Sequence, residues 1–373
     1  MREKNWIGEI VTEIQEHPMA WLLFVVIFAL LYGFYYFFTP VYIYVVSSPY
    51  VGPAMINGFA DAISEHHSSL FPVRVVDFSV RDTYDSVSSF VRRVKEDTME
   101  GKRIVAIVGT DISSETELLL KAMQTYGLDI PVISQSSSSP HLNNLYTRFF
   151  RLIYNDEFAV SLFGRWYVTQ GPRKPVILLV DKDNEIWSSA VAQVFKESAS
   201  SYIVSVKSVD MTDTVEVRRI LDRIISDKDL SPDEVYVFVV DYKLTNIYKL
   251  LLATADKYKN FLLVDSSVKY MFTKWFPDGL NVYLYYLPVK EDGLTYDYDY
   301  DLAYDAMSLV LKIANYHRTA VSVFDSLKMA KYQGITGFIS FVYKEGVYER
   351  RFDGISILKD EGGTWHIQAR IER

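Results

Sequence analysis

The sequence contains no cysteine. That excludes a disulfide framework, a thiolate metal site, a cysteine nucleophile and a lipid-modified cysteine anchor, although an extracytoplasmic protein can do without disulfides, so the compartment stays open. Histidine is scarce, six in 373 residues. The one adjacent pair, His66-His67, falls at a predicted helix end, where neighbouring side chains point apart and cannot share a metal ion. No HExxH, P-loop or GxGxxG pattern occurs, and Gly334-Ile-Thr-Gly337 has neither the length nor the spacing of one. The run Ser134–Ser139 sits at a strand end but lacks the glycines of a GxSxG nucleophile turn. Carboxylates that meet only in the folded chain are the one remaining route to hydrolytic chemistry. The expectation is therefore a non-enzyme without a cofactor. Dense basic runs are missing as well: 39 Lys and Arg stand against 47 Asp and Glu, a net charge of −8, with no block that could track a phosphate backbone. Nucleic acid is not an expected partner. The acidic stretch Glu291–Asp301 (EDGLTYDYDYD) lacks the ligand spacing of a calcium hand and reads as a hydrated loop or contact surface.

Charge is also absent from Met19 to Phe38 (MAWLLFVVIFALLYGFYYFF). A 20-residue helix rises about 30 Å, the thickness of a bilayer's hydrocarbon core. Trp21 at one end and Tyr32, Tyr35 and Tyr36 at the other fall where aromatic side chains favour the two interfaces. Arg2 and Lys4 precede the span and the next basic residue is Arg74, which places the N-terminus in the cytoplasm and the bulk of the chain on the periplasmic or extracellular side of the cytoplasmic membrane. A cleaved signal peptide would have a shorter apolar core and small residues before the cut, whereas this span exits through Tyr-Tyr-Phe-Phe-Thr-Pro. An uncleaved single-pass anchor is the expectation. Residues 1–18 read as a cytoplasmic amphipathic segment, with Ile7, Ile10, Val11 and Ile14 on one face. It either lies on the inner membrane surface or docks a partner.

Beyond Pro40 the chain alternates strands and helices. Its organising stretch is Arg103–Pro140: the β-branched run Ile104–Val108, a hydroxyl-rich loop Thr110–Thr116, a helical face of Leu118, Leu119, Ala122 and Met123, a second strand Ile130–Ile133, and the serine run. This βαβ unit puts two polar loops side by side at the carboxyl edge of a sheet, where ligands of open α/β folds bind. A second set of strands and helices follows from Pro175 to Val264. At 373 residues two lobes are expected: 41–152 with 288–334, and 153–287 with 335–373, joined by three crossings near Ile153, Leu287 and Ile335 that form a hinge.

The strand ending in Val-Gly-Thr, the segment IPVISQSSSSP, Phe149-Phe150-Arg151, VILLVDKDNEIW at 176–187, AYDAMSLVL at 303–311 and GITGFISFVYKEG at 334–346 occur in an order that resembles the type I periplasmic binding fold of branched-chain amino-acid binding proteins. The resemblance runs from about Val41 to the C-terminus. It implies two doubly wound Rossmann-like lobes closing on an amino acid or other small carboxylate for an ABC transporter permease or a membrane sensor. It also implies that Ser113 and Ser138 hold an α-carboxylate, that Ser136 offers backbone contacts, and that Trp187 is an aromatic lid after one extra residue in its loop. Tyr242 or Asp265 would face the serines across the cleft. Ser266 stands where the family has an acidic partner for the ligand's ammonium, and neighbouring Asp265 is the substitute. A domain of this fold that has lost its ligand and acts as an interaction module of a membrane complex is the alternative.

Overall fold

A computed structural model describes residues 17–48, 53–66, 72–81, 83–241, 243–265, 276–288 and 298–373. The amphipathic segment ahead of the span, Tyr242, Ser266, His67 and most of the acidic loop at 291–297 lie outside them.

Helix α1, Pro18–Phe38, begins with proline at its first position, where the missing N–H is not needed. None of its residues is buried, and it is the one described helix long and apolar enough to cross a membrane. It leads through Thr39 and Pro40 into β1, Val41–Ser47.

Two seven-stranded sheets carry the rest. In chain order the first takes β1, β2 (Val73–Ser79), β3 (Arg103–Gly109), β4 (Val132–Ser134) and β5 (Phe149–Arg151). The second takes β6 (Val176–Asp181), β7 (Ile203–Val209), β8 (Tyr236–Val240), β9 (Asn260–Leu263) and β10 (Asn281–Tyr286). The first sheet is completed by β13 (Phe341–Lys344) and β14 (Val347–Arg350), the second by β15 (Gly354–Asp360) and β16 (Trp365–Glu372); β11 (Tyr332–Gly334) and β12 (Gly337–Ile339) form a small hairpin of their own. The strand orders are β13-β14-β5-β4-β3-β1-β2 and β16-β15-β10-β9-β8-β6-β7, so each sheet reverses its winding once, between β1 and β3 and between β6 and β8. Central strands such as β6 (VILLVD) are buried along their whole length, as parallel strands covered on both faces must be.

The covering helices of the first lobe are α2 (Pro53–His66), α3 (Tyr84–Met99) and α4 (Ser113–Thr125), and later α9 (Tyr298–Ala314) and α10 (Ala320–Lys328). Those of the second are α5 (Asp156–Thr169), α6 (Glu185–Ser198), α7 (Thr214–Asp227) and α8 (Leu244–Thr254). Val41, Val105, Ala306 and Val310 pack on one face of the first sheet, and Tyr44, Phe90, Leu119 and Met123 on the other. Gly109 closes β3 at φ +111°, and a side chain there would run into the Val46 carbonyl of the neighbouring strand.

The chain changes sheet after β5, after β10 and after β14. The last change is a correction. Residues 341–350, expected in the second lobe after a crossing near Ile335, pair in the first: β14 runs parallel to β5 with Tyr348 opposite Phe150. Phe341 and Tyr348 pack on the Phe150 ring with centroids 5.1 and 4.7 Å away. The actual crossing is the short segment 351–353. Strand β5 is confined to Phe149–Arg151. Helix α10 was not anticipated at all.

Candidate functional site

The carboxyl edge of the first sheet is a web of short side chains. Ser134 Oγ donates to the Thr110 carbonyl (2.8 Å) and accepts from the Ser137 N–H (3.1 Å), and Ser137 and Thr116 hydroxyls bond at 2.6 Å. Ser134, Ser137 and Ser139 are buried, whereas Ser136, Ser138 and Ser113 are half-exposed. Every second serine thus knits the loop together while the others line its surface. Of these three, Ser136 Oγ donates to the Asp111 carbonyl at 3.0 Å, and Ser113, at the first turn of α4, accepts from the Ser139 N–H at 3.3 Å. Both lie on the first lobe's edge, engaged with their own loops.

Ser138 reaches the other lobe. Its carbonyl accepts from the N–H of Asp156 at 3.0 Å, and its hydroxyl lies near enough to favour the ionised Asp156 carboxylate. Asp156 opens α5, next to the N-cap Asn155. From α6, Trp187 Nε1 donates to Asp156 Oδ2 at 2.8 Å, with the indole 7 % exposed. Asp265, beyond β9, is buried and accepts from Tyr154 at 2.6 Å. The Tyr154 ring lies 6.2 Å from that of Tyr285, whose hydroxyl is held far above its ordinary pKa by burial and by Asp265 and Asp156. Ser138, Trp187 and Asp265 therefore converge on one carboxylate that sequence reasoning had not singled out. Burial, then the charge of Asp265, pushes Asp156 up to about 7 against the smaller opposing effects of Ser138, Trp187 and Arg151. Its Oδ1 has no hydrogen-bond partner among the described residues. Asp156 directly follows Tyr154-Asn155 at the first crossing, where a helix start faces the seam.

Arg151, fully buried on β5, is already committed. It donates to Glu349 Oε1 at 2.9 Å and to the Ser139 carbonyl at 2.8 Å, fixing the serine loop against β14. Asn155 donates to the same Glu349 oxygen at 3.1 Å.

Further carboxylates stand at both winding reversals. Asp111 accepts from the Ser48 N–H (3.2 Å) between β1 and β3 and from the Gln135 amide, and is pushed up to about 8 by burial, with Glu115 and Asp299 adding to it. Asp241, after β8, accepts from the Lys243 N–H (2.8 Å) and Asn246 (3.0 Å) and is pushed up to about 6 by burial and by Asp181 at the end of β6. A groove of about 660 Å³ opens between the lobes, lined by Glu117 and His141 on one side and Glu185, Ser189 and Ala190 of α6 on the other, next to Trp187 rather than over the serines. No group of three or more His, Cys, Asp or Glu suited to a metal ion occurs among the described residues.

Solved structures share this architecture. The branched-chain amino-acid transporter substrate-binding protein LivJ of Streptococcus pneumoniae, in complex with isoleucine, superposes with a TM-score of 0.72 at 17% identity over 90% of this chain and 100% of its own. This is the type I periplasmic binding fold. A leucine-binding protein LivK from Thermotoga maritima matches with a TM-score of 0.69 at 15% identity, over 89% of this chain and 99% of its own. A solute-binding protein of an ABC transporter from Rhodopseudomonas palustris, in complex with 3,4-dihydroxybenzoic acid, gives 0.70 at 13% identity over 89% and 97%. These neighbours are substrate-binding proteins rather than enzymes. No family model and no curated relative matches the sequence.

Proposed function

We propose that the chain is a membrane-anchored extracytoplasmic protein that binds an amino acid or related small carboxylate between its lobes and serves transport or sensing. Asp156 carries this reading: a buried carboxylate at the seam of the lobes, with Oδ1 open and the nearby guanidinium of Arg151 committed to Glu349. An ammonium group placed there would gain a charge-assisted hydrogen bond where water is excluded. The acidic partner missing at Ser266 is thereby supplied from the first crossing. The ligand's carboxylate falls to the first turn of α4 and the half-exposed serines, where N–H groups and hydroxyls favour an anion. The helix α1 and the Arg2 and Lys4 ahead of it support an anchor with its N-terminus inside. A tethered binding protein favours a fixed membrane partner, a permease or a sensor, over free diffusion.

The internal engagement of Ser113 and Ser136 favours one second reading, an interaction module that no longer takes a ligand. Thermal melts of the full chain in detergent separate the two. Binding to the native state alone stabilises it by about 3 kcal/mol at ~100-fold excess over Kd. Amino acids should raise the melting temperature and benzoate, which has no ammonium, should not. A flat response to amino acids, other amines and small carboxylates sinks the binding reading. Protease added to spheroplasts should digest the large domain while leaving it attached to α1 until cut.

A further inference from the structure

The passage from α1 to the first lobe contains no flexible linker. The last carbonyls of any helix lack intrahelical donors and carry the negative end of its dipole, and here two arginines from the lobe meet them. Arg103, the first residue of β3, donates to the Tyr36 carbonyl at 3.1 Å and lies 4.7 Å above the Tyr35 ring. Arg318, fully buried after α9, donates to the Thr39 carbonyl at 2.8 Å and the Pro72 carbonyl at 2.9 Å, while its own N–H donates to the Tyr36 hydroxyl at 3.3 Å. Helix end and lobe base are one body. Only Thr39 and Pro40 separate the helix from β1, and two extended residues span about 7 Å. Headgroups occupy roughly 5–8 Å on each side of the hydrocarbon. Val41 pairs with Val73 and with Arg103, so the amino ends of β1, β2 and β3 lie level at this height.

That edge has a chemistry of its own. Met99 ends α3 and is 71% exposed, and Val321, in the first turn of α10 three residues after Arg318, is 53% exposed. At the same edge stand Arg103, the exposed Arg74, and Lys102, whose ammonium pairs with Asp97 at 2.6 Å and with the exposed Glu100 at 3.8 Å, in a chain whose net charge is −8.

Resting on the reading of α1 as a membrane span, we propose that this amino edge of the first lobe is a lipid-contact surface, seated in the headgroup layer with Met99 and Val321 at the apolar boundary and the basic side chains on anionic headgroups. The first lobe is then fixed to the bilayer, and the second lobe is the one that moves when the cleft closes.

The lack of native cysteine makes single labels clean. Full-length Met99→Cys, Val321→Cys, Leu30→Cys within α1 and Asp183→Cys at the carboxyl edge of the second sheet would each carry a small fluorophore. They would be reconstituted in phosphatidylethanolamine–phosphatidylglycerol vesicles holding a nitroxide lipid. A headgroup nitroxide should dim the labels at 99 and 321 about two-fold, since they would lie within ~10 Å of it, and leave that at 183 unchanged; an acyl-chain nitroxide should dim the label at 30. Quenching at 30 with none at 99 and 321 overturns the lipid surface and leaves the anchor standing. No quenching at 30 overturns both. Labels at 99 and 321 that are shielded from an aqueous quencher yet untouched by lipid nitroxides would assign the edge to a protein and also overturn the proposal.

Discussion

Replacing Asp156 by Asn should stabilise the protein at neutral and alkaline pH while removing its ligand. The native carboxyl is held at about 7 instead of the ordinary 3.8, chiefly by burial and then by Asp265. That difference corresponds to roughly 4 kcal/mol between the two protonation states. The start of α5 offsets some of this, because a helix N-terminus favours a negative charge by about 0.3–1 kcal/mol, leaving about 3 kcal/mol. The sign follows from proton counting. Between about pH 4 and 7 the native chain holds a proton that the unfolded chain has released, so stability is complete below the unfolded value and falls as pH rises through 7. Asn keeps an acceptor for Trp187 Nε1 and never ionises. Urea unfolding of the full chain in detergent should therefore give equal stability for parent and D156N near pH 4 and a gap of about 3 kcal/mol in favour of D156N near pH 8. Calorimetry on the same samples should show affinity for an amine-bearing ligand falling by about a hundredfold, the scale of a lost buried charge-assisted bond. A variant that is less stable at every pH, or a gap that does not change with pH, would refute the claim that Asp156 carries an uncompensated charge.

Ser113→Ala and Ser138→Ala should each weaken ligand binding by about 1–3 kcal/mol if they meet a buried carboxylate, read by calorimetry, and unchanged affinity in both would put the ligand elsewhere. Glu349→Gln leaves the buried Arg151 guanidinium without its counter-charge and should cost about 3–5 kcal/mol in denaturant unfolding; a loss under 1 kcal/mol would mean water reaches Arg151. Small-angle scattering with a ligand identified by melting should give a smaller radius of gyration than the empty protein, because a ligand shifts the opening equilibrium only by contacting both lobes.

The lobes were legible because parallel strands buried on both faces leave uninterrupted β-branched runs, as in Ile104–Val108 and Val176–Val180. The third crossing was not. The run Ile335–Val342 is apolar and extended in either lobe, and what assigns it to the first is the edge-on packing of Phe341 and the stacking of Tyr348 on Phe150, nearly 200 residues away in sequence. Helix α10 escaped because its nine residues begin at a capping box whose partners are Thr319 and Ser322, a weaker signal than the Glu or Gln usually sought. In the site, strand ends announced the serine loops by composition. Asp156 did not announce itself, since an acidic residue in the first turn of a helix is ordinary and becomes unusual only when Trp187 and Ser138 close over it from two lobes.

The carboxylates of the seam bear on what the closed state needs. Asp156, which meets residues of both lobes, is pushed upward mainly by burial, so packing the lobes around it at neutral pH works against its charge. Arg151 relieves this only in small part, because its guanidinium already serves Glu349 and the serine loop. On the proposed reading, closure at pH 7 is favoured by a proton taken up at Asp156 or by a cation brought by the ligand. The second route ties closure to occupancy: an ammonium at Asp156 Oδ1 lowers the electrostatic cost of the closed form and not of the open one, which is the differential affinity that a ligand needs to shift a two-state equilibrium. A neutral or purely anionic ligand lacks that lever, so on the proposed reading an amine-bearing ligand, and not benzoate, should favour the closed form.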